Sequence, residues 1–438
     1  MRIFVYTFLI SLLPQALMAA APMTLKDVLQ VAKAANPKIV AAQEKINQYD
    51  AQKSLTKSYI FPTLSWSLGG TYLKDAVYTG SPKFSGDPYN IYASDLKLSQ
   101  TLYAKGLYSA VSQAEYDKKI QLVNLSIAER DLTQNVIEAF YRFILNQHAL
   151  ENLLKNQDIL QKSLGTSTAR YERGRGLMLD ILQVKTQLAL IEPQIENAKN
   201  QFVIAGQQLI NFMGENAHDN LKLKGKLKTI LLKDVQKYLD LKNIHLPEYE
   251  LNQLQLTQLE YTRDITLGKN YPTIKLVGDY LYNNYKKAEL FSDYSNAWAI
   301  QLQLVIPLFS GFSSNDERAI LASQDTQLRI ARRDLENSLN LKQVSSMQNL
   351  EASETSISSA EVAVKLANQA QDEASRMYKL SQIDFLQYLT VQQSALQANS
   401  SYDQLKYQSI IAYSNYFVAS GQSLNILVDI LSEEGVKE

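Results

Sequence analysis

The sequence predicts a mainly α-helical protein with a small β part, built as two copies of one unit. Three observations predict it. Pro37 and Pro62 lie 25 residues apart, as do Pro247 and Pro272, and each proline is 210 positions from its twin. Four segments alternate apolar and polar residues over roughly ten positions, the pattern of a half-wet strand. Two stretches of roughly 60 residues, from Gly106 and from Phe312, run without proline and read as helices of about 90 Å. A single repeat of this length is a doubled unit rather than a solenoid, so function is sought in what the two copies build together.

The chain has 438 residues, no net charge and no cysteine. Zero net charge gives no reason to expect nucleic acid as a partner. Absent cysteine excludes disulfides, thiolate metal sites and a cysteine-linked lipid anchor. The 26 tyrosines, against 13 phenylalanines and 2 tryptophans, suit positions where a ring is buried and its hydroxyl is wet.

Arg2, an apolar run from Ile3 to Leu13, Pro14 and the small residues Ala19, Ala20 and Ala21 form the pattern of a secretory signal over 1–21. No later stretch is long and apolar enough for a membrane-spanning helix. The expected organisation continues with a first repeat over 22–213, a connecting segment over 214–242, a second repeat over 243–420 and a tail over 421–438.

Each repeat reads helix, break, helix, strand, loop, strand, long helix, break, return helix. Thr24 with Asp27 is an N-cap pair before Leu25, Val28, Leu29 and Ala32, and Asn36-Pro37 interrupts that helix. Strands are expected at about 62–73, 90–102, 272–282 and 296–307. Their apolar faces are Leu64, Trp66, Leu68, Gly70 and Tyr72; Tyr92, Ser94, Leu96, Leu98 and Leu102; Ile274, Leu276, Gly278, Tyr280 and Tyr282; and Trp298, Ile300, Leu302, Leu304 and Ile306. Ten residues is also the length of a tilted strand crossing an outer membrane. The hairpin loops, about 74–89 and 283–294, are long and polar.

The long helices are expected over about 106–168 and 312–379. The second carries a narrow stripe of alanines among Gln, Ser and Asn, which suits a helix packed laterally with water on two sides. Tyr171-Glu172-Arg173-Gly174-Arg175-Gly176-Leu177 and Tyr378-Lys379-Leu380-Ser381-Gln382-Ile383 then mark related turns, offset by 207. Return helices follow over about 178–212 and 384–418.

The three histidines are isolated, no phosphate-binding glycine loop is present, and no nucleophile elbow exists. The sequence therefore predicts no enzyme, no cofactor and no metal. Four strands with open edges cannot face lipid alone. Three chains would supply twelve strands and room for a passage. The rival readings are an exported periplasmic coiled-coil scaffold, or an adaptor protein without a channel.

Leu25-Lys26-Asp27-Val28-Leu29 with Asn36-Pro37, the prolines at strand entry, Leu308-Phe309-Ser310-Gly311-Phe312 after the last strand and the two tyrosine-led turns occur in one order along the chain. In this order the chain resembles the TolC-type outer-membrane efflux proteins from end to end. The resemblance implies a homotrimer in the outer membrane, with a twelve-stranded barrel in lipid continued by a periplasmic α-helical barrel. It implies a passive exit duct of a tripartite efflux or type I secretion system, docked on a periplasmic adaptor and an inner-membrane transporter. It places adaptor contacts on the helical tips, here Gly174, Arg175, Gly176 and Leu177 with Leu380, Ser381, Gln382 and Ile383. It also places a periplasmic gate at Asp180, Tyr378, Ile383, Gln387 and Thr390. Gln387 and Thr390 stand where the best-known member has an aspartate ring, and Ile383 where it has an arginine. A Tyr378–Asp180 hydrogen bond is the expected lock.

Overall fold

The computed structural model describes residues 22–73, 88–214, 222–230, 232–235, 246–293, 296–380 and 382–432. The expected signal segment, most of the first hairpin loop and Ser381 lie outside the described residues. In chain order the elements are α1 (Leu25–Ala35), α2 (Pro37–Ser58), β1 (Thr63–Leu73), β2 (Tyr89–Tyr103), α3 (Lys105–Glu172), α4 (Met178–Met213), α5 (Leu232–Val235), α6 (Pro247–Gly268), β3 (Thr273–Asn284), β4 (Asn296–Val305), α7 (Ser313–Lys379), α8 (Phe385–Ala419) and α9 (Leu424–Ser432). Among the described residues no helix is long and apolar enough to cross a membrane. The chain divides into two compact units.

One unit comprises residues 40–128 and 246–341 and contains the sheet. Its strands run β1-β2-β3-β4, all antiparallel. The register aligns the alternating apolar positions of all four strands. Trp66 faces Leu96, Leu96 faces Tyr280, and Tyr280 faces Trp298; Leu64, Leu98, Gly278 and Ile300 form the next row. On the edge strands this face is solvent-exposed in the protomer, at 64% for Trp66, 73% for Trp298 and 71% for Ile300, and on β2 and β3 it is partly exposed. The indole N–H of Trp66 donates to Ser94 Oγ at 2.9 Å, so the apolar face keeps its polar atom satisfied. The opposite face carries Thr63, Ser65, Ser99, Gln301 and a Lys97–Asp279 ion pair at 3.3 Å.

Two details depart from the sequence reading. A register shift lies between Thr101 and Tyr103, and Tyr103 rather than Leu102 pairs with Ile274. A bulge sets two residues of one strand against one of its partner and ends the simple alternation. The second hairpin connection is also partly ordered: a 3-10 turn spans Lys287–Glu289, Leu290 is buried, and Phe291 packs edge-on to Tyr282.

Below the sheet, α3 and α6 meet at two glycines. A Cβ on Gly268 would lie 2.8 Å from the Gly106 nitrogen, and one on Gly106 would lie 3.1 Å from the Ile265 Cα. At the exit of β4 the chain turns through two successive left-handed residues, Gly311 (φ 65°) and Phe312 (φ 63°). The turn leaves Phe309 and Phe312 exposed and stacked edge-on, the amphipathic setting in which barrel proteins place aromatic girdles.

The other unit comprises residues 1–39, 129–245 and 342–438. Here α1 packs on α4 and α9, and α9 packs on α8. Thr24 and Asp27 form the capping box that opens α1. Asn36 explains the break that follows: its side chain donates to Phe212 O at 2.9 Å and accepts from Lys38 N at 3.0 Å, tying the start of α2 to the end of α4. Gly214 ends α4 in the left-handed region, and a Cβ there would collide with Ala35 O at 2.5 Å. Of the connecting segment, Met23 pairs with Leu223, and Leu227, Ile230 and Val235 are buried.

Candidate functional site: the paired helix turns

The ends of the α3–α4 and α7–α8 hairpins come together in the second unit around one apolar cluster. It contains Leu160 of α3, Val184 and Ile191 of α4, Ala374 and Tyr378 of α7, and Phe385, Tyr388 and Leu389 of α8. Tyr378 stacks on Tyr388 with centroids 5.0 Å apart and 9° between the planes, and Phe385 packs beside both. Burial raises the Tyr388 hydroxyl above its ordinary pKa.

Different local chemistry builds the two turns. In the first, Gly174 is left-handed (φ 70°) and its N–H donates to Tyr171 O; Arg175 N–H donates to Arg170 O at 2.9 Å. Gly176 has no room for a side chain, since a Cβ would sit 2.8 Å from Tyr171 N and 2.9 Å from Arg170 Cβ. In the second turn, Leu380 and Gln382 amides donate to Arg376 and Met377 carbonyls at 3.0 and 2.9 Å. Asp384 then caps α8: it accepts from Gln387 N at 2.7 Å while Gln387 Oε1 accepts from Asp384 N at 3.3 Å. This reciprocal pair satisfies two of the orphan donors of a helix start.

Arg170 joins the turns. Its Nη2 donates to Tyr378 O at 2.8 Å and Lys379 O at 3.2 Å, and its guanidinium lies 4.6 Å from the Tyr378 ring centre. A cation placed on the last carbonyls of α7 also opposes the negative end of that helix dipole. Arg170 went unremarked in the sequence, where only its position in the last turn of a long helix hinted at a role.

The expected gate residues are thus gathered near one place but engaged differently from expectation. Within the protomer Tyr378 does not bond Asp180. Its hydroxyl lies 3.2 Å from Ser167 Oγ, because the ring is buried (6% exposed) in the cluster and its hydroxyl meets α3. Gln387 is spent on the α8 cap. Thr390 donates back to Leu386 O at 2.9 Å, and Ile383 packs against the cluster. Among the described residues Asp180 has no side-chain partner, although its N–H donates to Leu177 O. Leu177 and Leu380 are exposed.

Away from the turns the packing becomes polar. A cavity of about 310 Å³ is lined by Asn152, Asn156, Gln187, Gln194, Gln393 and Gln397 among leucines. Nearby, buried Gln392 donates to Asn156 Oδ1 at 2.7 Å. No group of three or more His, Cys, Asp or Glu suited to a metal occurs among the described residues.

The chain thus combines a four-stranded sheet with one largely apolar face and two long helical hairpins. Residues 28–215 match the profile of the family described as outer membrane efflux protein. The chain is 24% identical over 421 residues to outer membrane protein TolC of Salmonella enteritidis, covering 89% of this chain and 81% of that protein. It is 22% identical over 300 residues to protein CyaE of Bordetella pertussis, covering 66% of this chain and 61% of that protein. The fold matches that of the Campylobacter jejuni CmeC outer membrane channel with a TM-score of 0.79 at 14% identity, covering 93% and 89% of the two chains. In profile over residues 28–215, in sequence and in fold, the chain is similar to the TolC-type outer-membrane efflux proteins, which lie in the outer membrane and extend into the periplasm.

Proposed function

We propose that three copies of this chain form an exit duct that passively conducts cargo from the periplasmic side to the exterior. The observation that carries this reading is the sheet. Its apolar face is widely exposed along β1 and β4 and partly exposed along β2 and β3, and the edge strands β1 and β4 have no further strand partner among the described residues. In lipid every backbone polar group must be paired, so such edges require other copies of the chain. Three copies give twelve strands, enough to enclose a passage. A soluble scaffold or an adaptor would leave the apolar face uncovered in water.

The duct serves either a tripartite efflux assembly or a type I secretion system, in partnership with a periplasmic adaptor and an inner-membrane transporter. The turns at Gly174–Leu177 and Leu380–Ile383 are the docking end. Entrance control resides in the cluster around Tyr378 and in the neighbouring Asp180, with Ile383, Gln387 and Thr390 holding the second turn in shape.

Because the chain has no cysteine, one cysteine placed in β1 and one in β4 give a clean test. Oxidation in membranes should produce a ladder on denaturing gels that ends at three chains. A ladder ending at two, or one that continues past three, refutes the duct as described.

A further inference from the structure

The turns carry a charge pattern that their own folding does not consume. Between residues 170–180 and 376–384, Arg170, Arg173, Arg175, Arg376 and Lys379 stand against Glu172, Asp180 and Asp384, in a chain with no net charge. Arg170 is taken up by the α7 carbonyls, Arg376 pairs with Glu373 at 3.6 Å, and Asp384 caps α8. Arg173 and Arg175 are different. Both are exposed, and neither has a side-chain hydrogen bond or ion pair among the described residues. They lie beyond the last residue of α3, so neither is needed to close that helix. The backbone around them is fixed, because Gly174 must be left-handed and Gly176 has no space for a Cβ. Beside them stand Leu177, Leu179 and Leu380, exposed at 64%, 57% and 69%.

We infer that this end of the molecule binds a protein partner whose contact surface sets carboxylates beside apolar side chains. The inference rests on the reading that the turns are a docking end and adds the chemistry of what docks. Leucines at the centre exclude water, and arginines at the rim steer and orient an oppositely charged partner. Arginine suits this role because its planar fork meets a carboxylate with two parallel bonds. A basic partner would bring like charges together at Arg173 and Arg175, which disfavours it.

The test is photo-crosslinking in cells, with benzoylphenylalanine replacing Leu177 in the full chain. The unsubstituted background should yield an adduct with a periplasmic protein. Arg173→Glu/Arg175→Glu should lower the adduct about ten-fold, as reversing two rim charges implies. Arg173→Lys/Arg175→Lys should lower it only about two- to three-fold, since an ammonium keeps the steering charge but loses the paired bonds of the fork. All backgrounds are compared at equal amounts of chain in the outer-membrane fraction, so loss of folding is not mistaken for loss of docking. The crosslinked partner peptide should carry Asp or Glu within about one helical turn of the attachment point. An adduct that survives charge reversal, or a partner peptide rich in Lys and Arg, overturns the inference and leaves the docking reading standing. An adduct to lipid alone, or none in the unsubstituted background, overturns both.

Discussion

Removing Arg170 should loosen the end of α7 more than its neighbours. Its Nη2 is shared between the Tyr378 and Lys379 carbonyls, and its guanidinium stacks on the Tyr378 ring. A hydrogen bond from a charged donor contributes about 1.5–3 kcal/mol when buried. Partial exposure of Arg170 cuts this to about 1–1.5 kcal/mol by screening. The stacking adds about 0.5–1 kcal/mol. Arg170→Ala should therefore cost about 2 kcal/mol of local opening free energy. Since 1.36 kcal/mol is a factor of ten, exchange of amides that close the second turn should accelerate about 30-fold. The Leu380 and Gln382 amides report directly, because they bond the Arg376 and Met377 carbonyls. Hydrogen exchange read by mass spectrometry on a peptide spanning 376–384 is the assay, with an α9 peptide as reference. Arg170→Lys should recover only part of the protection, because an ammonium can meet a carbonyl but not stack as a plane. Acceleration below about three-fold in Arg170→Ala would mean that apolar packing alone holds the turns together, and the clamp would be discarded.

Three further outcomes follow from other parts of the molecule. Gly268→Ala should destabilise by about 1–2 kcal/mol, since its Cβ meets the Gly106 backbone and overpacking outweighs the helix-propensity gain; a thermal melt of the purified protein measures it. Ile300→Arg should cost about 2–4 kcal/mol of folding into vesicles, while the adjacent Gln301→Arg, on the wet face, should cost under about 1 kcal/mol; urea titration in lipid separates them. The contact with Asp403 at 3.5 Å holds the His148 imidazole above its ordinary pKa, against the opposing effect of burial. A raised folded-state value means that the pair stabilises fully below about pH 6.5 and that this contribution is lost as pH rises through the raised value. His148→Gln should therefore melt below the unsubstituted protein at about pH 5.5 and converge with it at about pH 8.5; a gap that widens with pH refutes the assignment.

What could be read without coordinates was what the backbone period dictates. The four apolar faces follow from alternation alone, and the register then places Trp66, Leu96, Tyr280 and Trp298 in one row. The bulge near Leu102 was not legible, because it is defined by its partner Ile274, some 170 residues away in sequence. Asp384-x-x-Gln387 is an N-cap pattern, readable from local spacing, yet the likeness to a ringed entrance assigned Gln387 to the gate instead. Within the protomer that side chain completes the reciprocal cap at the start of α8. Ser167 and Tyr378, 211 residues apart, meet only because two hairpins pack, so no spacing announced them.

The doubling of the chain fails most at the two turns. Tyr171 and Tyr378 occupy matching positions, but Tyr171 is exposed at 48% and Tyr378 is buried at 6%. The residue before Tyr378 is Met377, while the residue before Tyr171 is Arg170, which reaches across to the other turn rather than its own. One turn is fixed by two glycines and leaves its arginines free; the other is fixed by a capping box and an aromatic stack. The first is rigid through its backbone, so a partner can press on it without unfolding it. The second is rigid through side chains that include Tyr378, Ser167 and Arg170, each of which can be released without breaking a helix. Beyond this apolar cluster the packing gives way to the amide-lined cavity. Arg170, on the helix that ends in the first turn, bonds the last carbonyls before the second.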